Sequence, residues 1–540
     1  MKKYNKIMSI VLAGALLAGC NDLDTEPAGN TVTSDQKSDV VAVDPGKATA
    51  AVSGLTGMLD AAFTYSSDGH YDFGHPALLL MFDMRGADMY SIYSGYNWFI
   101  SQQEMSEGLP TSVTPGICWT YNYNVIRAAN SLLATIRPNL DMEATDETSL
   151  QTKYYFAQGS AFRAYSYFSL VQAYQFTYAN NPGALAVPIL TDENENEVAA
   201  NGAPRATVQE VYDLIMSDLN TAIACMEGNP VTGADLVSAK ANRFISLAAA
   251  YGLRARANLV MNKWSEAAAD AQAAISNFSG SPLSLAEAAQ PGFNSLNAKN
   301  WIWGVNVNET DRCVTTGIVN FPSHMGTFSY GYASAVGAWK WINAKLYESI
   351  STSDVRKGWW LDENGTSANL SAEQQAYCTA LNVPALVQVK FAPYNGAVDT
   401  DLNASDIPLM RVEEMYLILA EAQGMQSAAQ GAKTLTDFVS TYRDPYYTCT
   451  ATTSQDLQNE VWRQRRIELW GEGLSYFDLL RLNKGVDRRG GGWPAETIYN
   501  IAANDPILIL PIPEDEITGN KQVSAADNTN GGSIPTPVAE

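Results

Sequence analysis

Over most of the chain, apolar residues return every three or four positions, the spacing that puts one stripe on a helix. Trp119, Tyr123, Ile126 and Asn130 fall on one such face. In FAQGSAFRAYSYFSLVQAYQF, Ala161, Ala164, Phe168 and Val171 recur at the same period, and Tyr154, Tyr155, Phe162 and Tyr165 belong to the same apolar helix as core. VQEVYDLIMSDLNTAIACM carries Val211, Leu214, Ile215, Leu219 and Ala222 inward. Thr207 before it predicts an N-cap, with Glu210 closing a capping box. FISLAAAYGLRARANLVMNKWSEAAADAQAAIS predicts two helices joined at Met261-Asn262-Lys263, with Ala255 on the first and Ala267, Ala271 and Ala274 on the second. Small residues at those offsets let antiparallel helices pack closely, as in a tetratricopeptide unit of about 34 residues. One such unit cannot bury its own faces, so neighbours must stack on it.

From about residue 280 to 406 the helical rhythm fails. Gly, Asn, Ser and Pro are frequent there, with short β-prone runs such as WIWGVNV and LVQVKF. A loop-rich, partly β region inserted on a mainly α scaffold is expected. PILILPIP near the C-terminus is expected to be extended, because Pro506, Pro511 and Pro513 oppose a helix.

The first residues set a location. Lys2, Lys3 and Lys6 precede a mostly apolar run, Ile7 to Gly19, that is shorter than the ~20 residues needed to span a bilayer. A secretory signal peptide over 1–19 is predicted. Leu17-Ala18-Gly19-Cys20 resembles a bacterial lipobox, which would leave Cys20 as an acylated first residue. Buried acyl methylenes contribute about 0.8 kcal/mol each, enough for several chains to hold a protein on a membrane surface. An ordinary signal peptide with a nearby cysteine is the alternative. Residues 20–46, rich in Asp, Ser, Thr, Gly and Pro, read as a flexible tether, followed by one domain over 47–540.

Charge then narrows the partners. Removing 1–19 takes away three lysines and no acid, so the net charge goes from −23 to −26. A broad field of that sign argues against nucleic acid or anionic lipid. After Cys20 come Cys118, Cys225, Cys313, Cys378 and Cys449, an odd number with no CxxC pair. That speaks against a disulfide scaffold or a zinc site, though two bridges and one thiol remain open.

Several segments, in order, resemble the SusD/RagB-type outer-membrane nutrient-binding lipoproteins. They are Cys20-Asn21-Asp22-Leu23-Asp24, the Trp119/Tyr123/Ile126/Asn130 helix, and Ala161-Phe162-Arg163-Ala164-Tyr165. Pro408-Leu409-Met410-Arg411 through Tyr416, Ala420, Glu421 and Ala422 follows, then RRIELWGEGLSYFDLLR (Arg465 to Arg481) and LPIPEDEI with Asn520. The resemblance implies four tetratricopeptide-like helix pairs on the cell surface. It also implies a SusC-type TonB-dependent transporter as partner, over which the protein sits as a lid, and oligosaccharide or, in some members, peptide as cargo.

Motifs that could carry chemistry also have packing roles. Arg465, Arg466, Glu468, Glu472, Asp478 and Arg481 lie close together, yet Ile467, Trp470, Leu474, Phe477 and Leu480 run an apolar stripe through the same stretch. Ion pairs that fix helix packing are expected there rather than catalysis. Asp68, His70, Asp72 and His75 are metal-ligand types without a metal-site spacing, and read as a polar loop. DENENE (Asp192 to Glu197) lacks the EF-hand glycine and terminal acid. No GxSxG, HExxH, P-loop or GxGxxG pattern occurs, so no cofactor is predicted.

Aromatic residues carry the functional expectation, because sugars stack their C–H faces on rings while polar side chains hold the hydroxyls. Trp301, Trp303, Trp339, Trp341, Trp359 and Trp360 crowd the region where helical pattern breaks, and DMYSIYSGYNWF forms a second cluster. The resemblance places ligand contacts in regions corresponding to 85–100 and 320–345, with no ring fixed by a motif. Tyr93, Trp98, Trp339 and Trp341 are therefore expected as stacking platforms, with Asp88 and Asn320 as hydroxyl partners. A surface glycan-binding lipoprotein without enzymatic activity is the predicted function. A surface glycoside hydrolase, or a peptide-binding or structural lipoprotein, is the alternative.

Overall fold

The computed structural model describes residues 34–66, 68–528 and 533–540. The signal peptide, Cys20 and most of the tether lie outside the described residues. Where the tether was expected to continue, Ser34–Val43 forms helix α1. Its Val41 is buried and the Ser38 carbonyl accepts from Asn139 Nδ2 at 3.1 Å. The chain therefore joins the body at residue 34 rather than near 47. The tether reading missed this because one buried valine gives no periodic signal.

The scaffold is a row of antiparallel helices. Thr49–Gly57 (α2) and His75–Arg85 (α3) lead into the long helices Val113–Ile136 (α4) and Glu147–Tyr174 (α5). Val208–Met226 (α6), Leu247–Val260 (α7) and Trp264–Ser276 (α8) come next. After the loop-rich region, Val412–Gln426 (α9), Ala428–Tyr442 (α10), Ser454–Glu468 (α11) and Ser475–Arg481 (α12) complete it. Each long helix packs on the next, α4 on α5, α5 on α6, α6 on α7, α7 on α8, α8 on α9 and α9 on α10. Thr207 and Glu210 make the expected capping box. The α7–α8 turn falls at residues 261–263, and Ala255, Ala267, Ala271 and Ala274 are fully buried between the two helices. At the α9–α10 crossing, a Cβ on Gly431 would sit 2.5 Å from Gly424 Cα, so only glycine permits this approach.

The two helix motifs of the N-terminal half meet through one arginine. Arg163 on α5 donates to Asn130 on α4 at 2.9 Å, to Asp192 at 2.7 Å and to both Asp218 oxygens at 2.8 Å. The acidic DENENE start is thus an ion-pair partner.

The described strands form four two-stranded antiparallel ribbons, two of which tie the loop-rich region to the scaffold through Trp341–Ile342 and Trp301–Val305. Met89–Tyr90 (β1) pairs Trp341–Ile342 (β5); Leu185–Pro188 (β2) pairs Arg205–Thr207 (β3). Trp301–Val305 (β4), from WIWGVNV, pairs Ile407–Arg411 (β6), and Val486–Asp487 (β7) pairs Asn500–Ile501 (β8). LVQVKF supplies isolated bridges from Val387 to Trp341 and from Gln388 to Trp360. PILILPIP is extended from Ile509, but Pro506–Leu508 makes one 3-10 turn capped by Asp505, since proline tolerates the first turn.

All six tryptophans of 301–360 are buried. Trp339 and Trp341 join Tyr90, Phe328, Leu361, Val387 and Trp493 in a second core under the loops. The region thus carries its own core.

Candidate functional site

The RRIELWGEGLSYFDLLR segment is a buried electrostatic centre. Glu468 accepts from Arg443 Nε at 2.8 Å, Arg443 Nη2 at 2.9 Å, Arg411 Nη1 at 3.0 Å and Arg356 Nη1 at 3.3 Å. Glu472 accepts from Arg411 and from Lys390 Nζ at 2.6 Å. Asp478 holds Arg465 and Arg481, and Arg481 also reaches Glu421. Burial alone would raise the Glu468 pKa, but Arg443, Arg411 and Arg356 hold it well below the usual carboxylate range. These charges tie α9, α10, α11 and the loop region together, as the packing reading expected.

The polar loop disperses its metal-type residues. Asp72 accepts from the Tyr65 and Ser66 amides, His75 pairs with Tyr165 Oη at 2.5 Å, and His70 turns to Tyr332. Among the described residues, no group of three or more His, Cys, Asp and Glu side chains is arranged to hold a metal ion.

An aromatic stack runs from the core to the surface instead. Phe73 lies 5.5 Å from His324 with planes 11° apart, and His324 lies 4.7 Å from Tyr332 at 19°. Tyr332 then meets Tyr96 at 5.6 Å and Trp98 at 6.3 Å, and its hydroxyl pairs with His70 Nδ1 at 2.5 Å. Trp98 stacks on His70 at 5.0 Å and takes the edge of Tyr71 at 5.1 Å. On the segments that carry these rings, Tyr96 is 58% exposed, Tyr330 50% and Tyr93 44%, while Trp98 is half-buried. Burial lowers the His70 pKa against the opposing pull of Asp68, and His324 is held neutral by burial and Lys340. The centre of the surface is therefore uncharged.

Two irregular segments present these rings, and both are fixed by hydrogen bonds. Ser91 and Gln103 exchange a pair at 2.7 and 3.1 Å, and Ser91 Oγ donates to the Trp339 carbonyl at 2.8 Å. On the other side Ser334 Oγ donates to the Ser329 carbonyl at 2.6 Å, and the Tyr330 amide donates to Thr400 at 2.8 Å. That last contact lays the 399–401 turn, with exposed Asp399 and Asp401, along the Tyr330 backbone, and the Tyr377 hydroxyl donates to Asp399 at 3.0 Å. Such a frame lowers the ordering cost of binding.

Of the expected residues, Trp98 is part of this ring cluster, and Tyr93 is exposed on the same segment. Tyr93 is tethered by its hydroxyl to Glu104. Trp339 and Trp341 are each only 6% exposed, which leaves no ring face for a sugar, so both are corrected to core. Asn320 is corrected to a structural cap: Oδ1 accepts from the Ser323 amide at 2.9 Å and Nδ2 donates to the Cys313 and Gly317 carbonyls. Asp88 is buried and bonded to Arg466 and Ser475, so it is corrected from hydroxyl partner to ion-pair partner. Tyr330 and His70 stand outside the expected set, while Tyr332, 6% exposed like Trp339, backs the ring cluster without offering a free face. The Ser-Tyr-Gly-Tyr run at 329–332 was the one local signal for the two tyrosines.

The fold is a stacked-hairpin helical scaffold that holds a patch of neutral rings, and no described helix is long and apolar enough to cross a bilayer. Two family models match, one described as starch-binding and associating with the outer membrane over residues 77–259, the other as the SusD family over residues 350–529. The chain belongs to the SusD superfamily. It is similar in fold to a SusD-like carbohydrate binding protein from Bacteroides vulgatus, at 24% identity and TM-score 0.71, covering 89% of this chain and 98% of that one. A surface glycan-binding protein A from Bacteroides fluxus matches at 18% identity and TM-score 0.63 over 91% and 99%. A laminarin binding SusD-like protein matches at 19% and 0.60 over 92% and 99%. No curated protein matches. The matched segments leave out 260–349, the stretch that supplies Tyr330 and Tyr332.

Proposed function

We propose that this chain is a cell-surface glycan-binding lipoprotein that captures oligosaccharide on the Tyr96–Trp98–Tyr330 surface and delivers it to a SusC-type TonB-dependent transporter. The observation that carries this reading is the exposed tyrosine set, backed by a stack of neutral rings, with the acidic 399–401 turn along the Tyr330 backbone. Neutral ring faces suit C–H stacking, and Asp399 and Asp401 suit hydroxyls. Family membership and the printed descriptions of similar structures support the same reading. Acylation at Cys20 would hold the body at the outer membrane. No bond is broken in this scheme, and the burial of Glu468 and Glu472 in ion pairs weighs against the hydrolase alternative at that motif.

The test is calorimetric titration of the protein and its Tyr96→Ala and Trp98→Ala variants across a glycan panel. Loss of one stacking ring should cost about 1.4 kcal/mol, or tenfold in Kd. A panel glycan bound equally by all three proteins would sink the site, and release of reducing sugar would favour the hydrolase. Recovery of Cys20→Ala in the soluble fraction, and co-purification of a transporter barrel with the wild type, would support the anchoring and delivery steps.

A further inference from the structure

Away from the ring surface, a cavity of about 300 Å³ opens between α11, β7 and residues 343–349. Lys345, Arg463, Arg466 and Arg489 line it together with Asp88 and Asp487. Trp462 forms part of its wall, with Arg466 4.6 Å and Lys484 4.5 Å over the indole. The indole N–H has no acceptor among the described residues. Arg463 pairs with Glu460, Arg466 with Asp88 and Arg489 with Asp487. Lys345 makes no ion pair with a described carboxylate, and Lys484 donates only to Asn459. Three carboxylates therefore face five cations, a local positive surplus on a chain of net charge −23.

We propose that this cavity is a second subsite, which takes the anionic group of an acidic sugar, a uronate carboxylate or a sulfate ester. The proposal rests on the glycan-binding reading above and narrows its cargo to acidic glycans. The chain's overall field repels polyanions, so an acidic glycan can approach only where the sign is locally reversed. Guanidinium forks and an ammonium recognise carboxylate and sulfate oxygens by charge-assisted hydrogen bonds, and the Trp462 ring offers an apolar wall for the pyranose.

The cavity is tested by titrating the full mature protein with oligosaccharides from polygalacturonate, from chondroitin sulfate and from neutral starch. The same titrations are made with Lys345→Met/Arg489→Gln, two exposed positions whose loss leaves the core intact. Wild type should bind one acidic series, more weakly as salt rises, and the double variant at least tenfold more weakly, with neutral binding unchanged. Preference for the uronate or the sulfated series tells the two anion sources apart. Equal affinity of both proteins for the acidic series, or absence of acidic binding, overturns the proposal. If the neutral series is then still bound and lost in Tyr96→Ala, the ring-surface reading stands alone. If nothing in the panel binds either protein, both fall.

Discussion

Replacing Glu468 by Gln keeps the shape of the buried centre and removes one charge. Around it, Arg356, Lys390, Arg411 and Arg443 face Asp354, Glu413, Glu468 and Glu472, so the described ion pairs balance. Three guanidiniums converge on Glu468 itself, and its side chain and theirs are fully inaccessible. Deleting one partner of a buried pair costs about 3–5 kcal/mol because the remaining charge is stranded. The Gln carbonyl still accepts from one or two arginine N–H groups, which places the loss near 3 kcal/mol. Against a total stability of about 5–15 kcal/mol, that is a large share. With an unfolding entropy of about 2.1 cal/mol/K per residue, a chain of this length loses only a few degrees of Tm, so urea unfolding is the better measure. Tryptophan emission reports it, since Lys390 lies 4.9 Å over the Trp359 ring and Trp470 packs on Trp360. Adding Arg356→Met restores neutrality and should recover part of the loss in a double-mutant cycle. Asp437→Asn breaks the exposed Lys433–Asp437 pair and should cost no more than about 0.5 kcal/mol. A Glu468→Gln loss as small as that of the exposed pair would refute the view that this motif organises the fold.

The remaining predictions concern pH and packing. Burial raises the Asp83 carboxyl to about 8, with the Gly473 amide opposing and Asp88 adding to the shift, while an unfolded Asp titrates near 3.8. The folded state thus holds a proton the unfolded chain has lost: the stability from this group is complete below pH 4 and disappears as pH rises toward 8. Asp83→Asn should flatten that slope and stabilise the protein at pH 8 by a few kcal/mol, read by urea unfolding at pH 5 and pH 8. Unchanged pH dependence would count against a neutral Asp83. Gly431→Ala should cost about 1–3 kcal/mol by forcing α9 and α10 apart, with glycan titration unchanged under conditions where the variant is folded. A neutral effect on unfolding would show that the crossing relaxes freely.

The helices were legible where a long stripe faces one neighbour. Val211, Ile215, Leu219 and Ala222 bury one face of α6, and the alanines of α7 and α8 are small because two backbones approach there. The Arg465–Arg481 charges were readable as packing because the apolar stripe through them could be counted. The loop region offered no such check. β4 is buried along its whole length, so WIWGVNV shows no alternation between inside and outside, and a tryptophan there looks the same whether it packs or binds. Trp341 reads as a platform from the sequence, yet its pairing with Tyr90, 251 positions away, closes it into the second core.

The same reasoning explains why the exposed Tyr330 escapes a reading of the chain. An exposed ring costs the fold little and needs no periodic neighbours, so local sequence places no constraint that would mark it. What fixes the ring cluster is tertiary: His70 and Tyr332 meet across 262 positions, and the Ser91 hydroxyl holds the Trp339 carbonyl across 248. Buried charges such as Glu468 must be matched by partners, and matched partners impose spacing along the chain. Ring surfaces answer only to the ligand. A scaffold of this kind is therefore recognisable from residue spacing alone, while the ring cluster proposed as its binding face becomes visible once distant loops are brought together. The cationic cavity obeys the second rule: Lys345, Trp462 and Arg489 come from three separate segments, and their shared sign shows only in the folded protein.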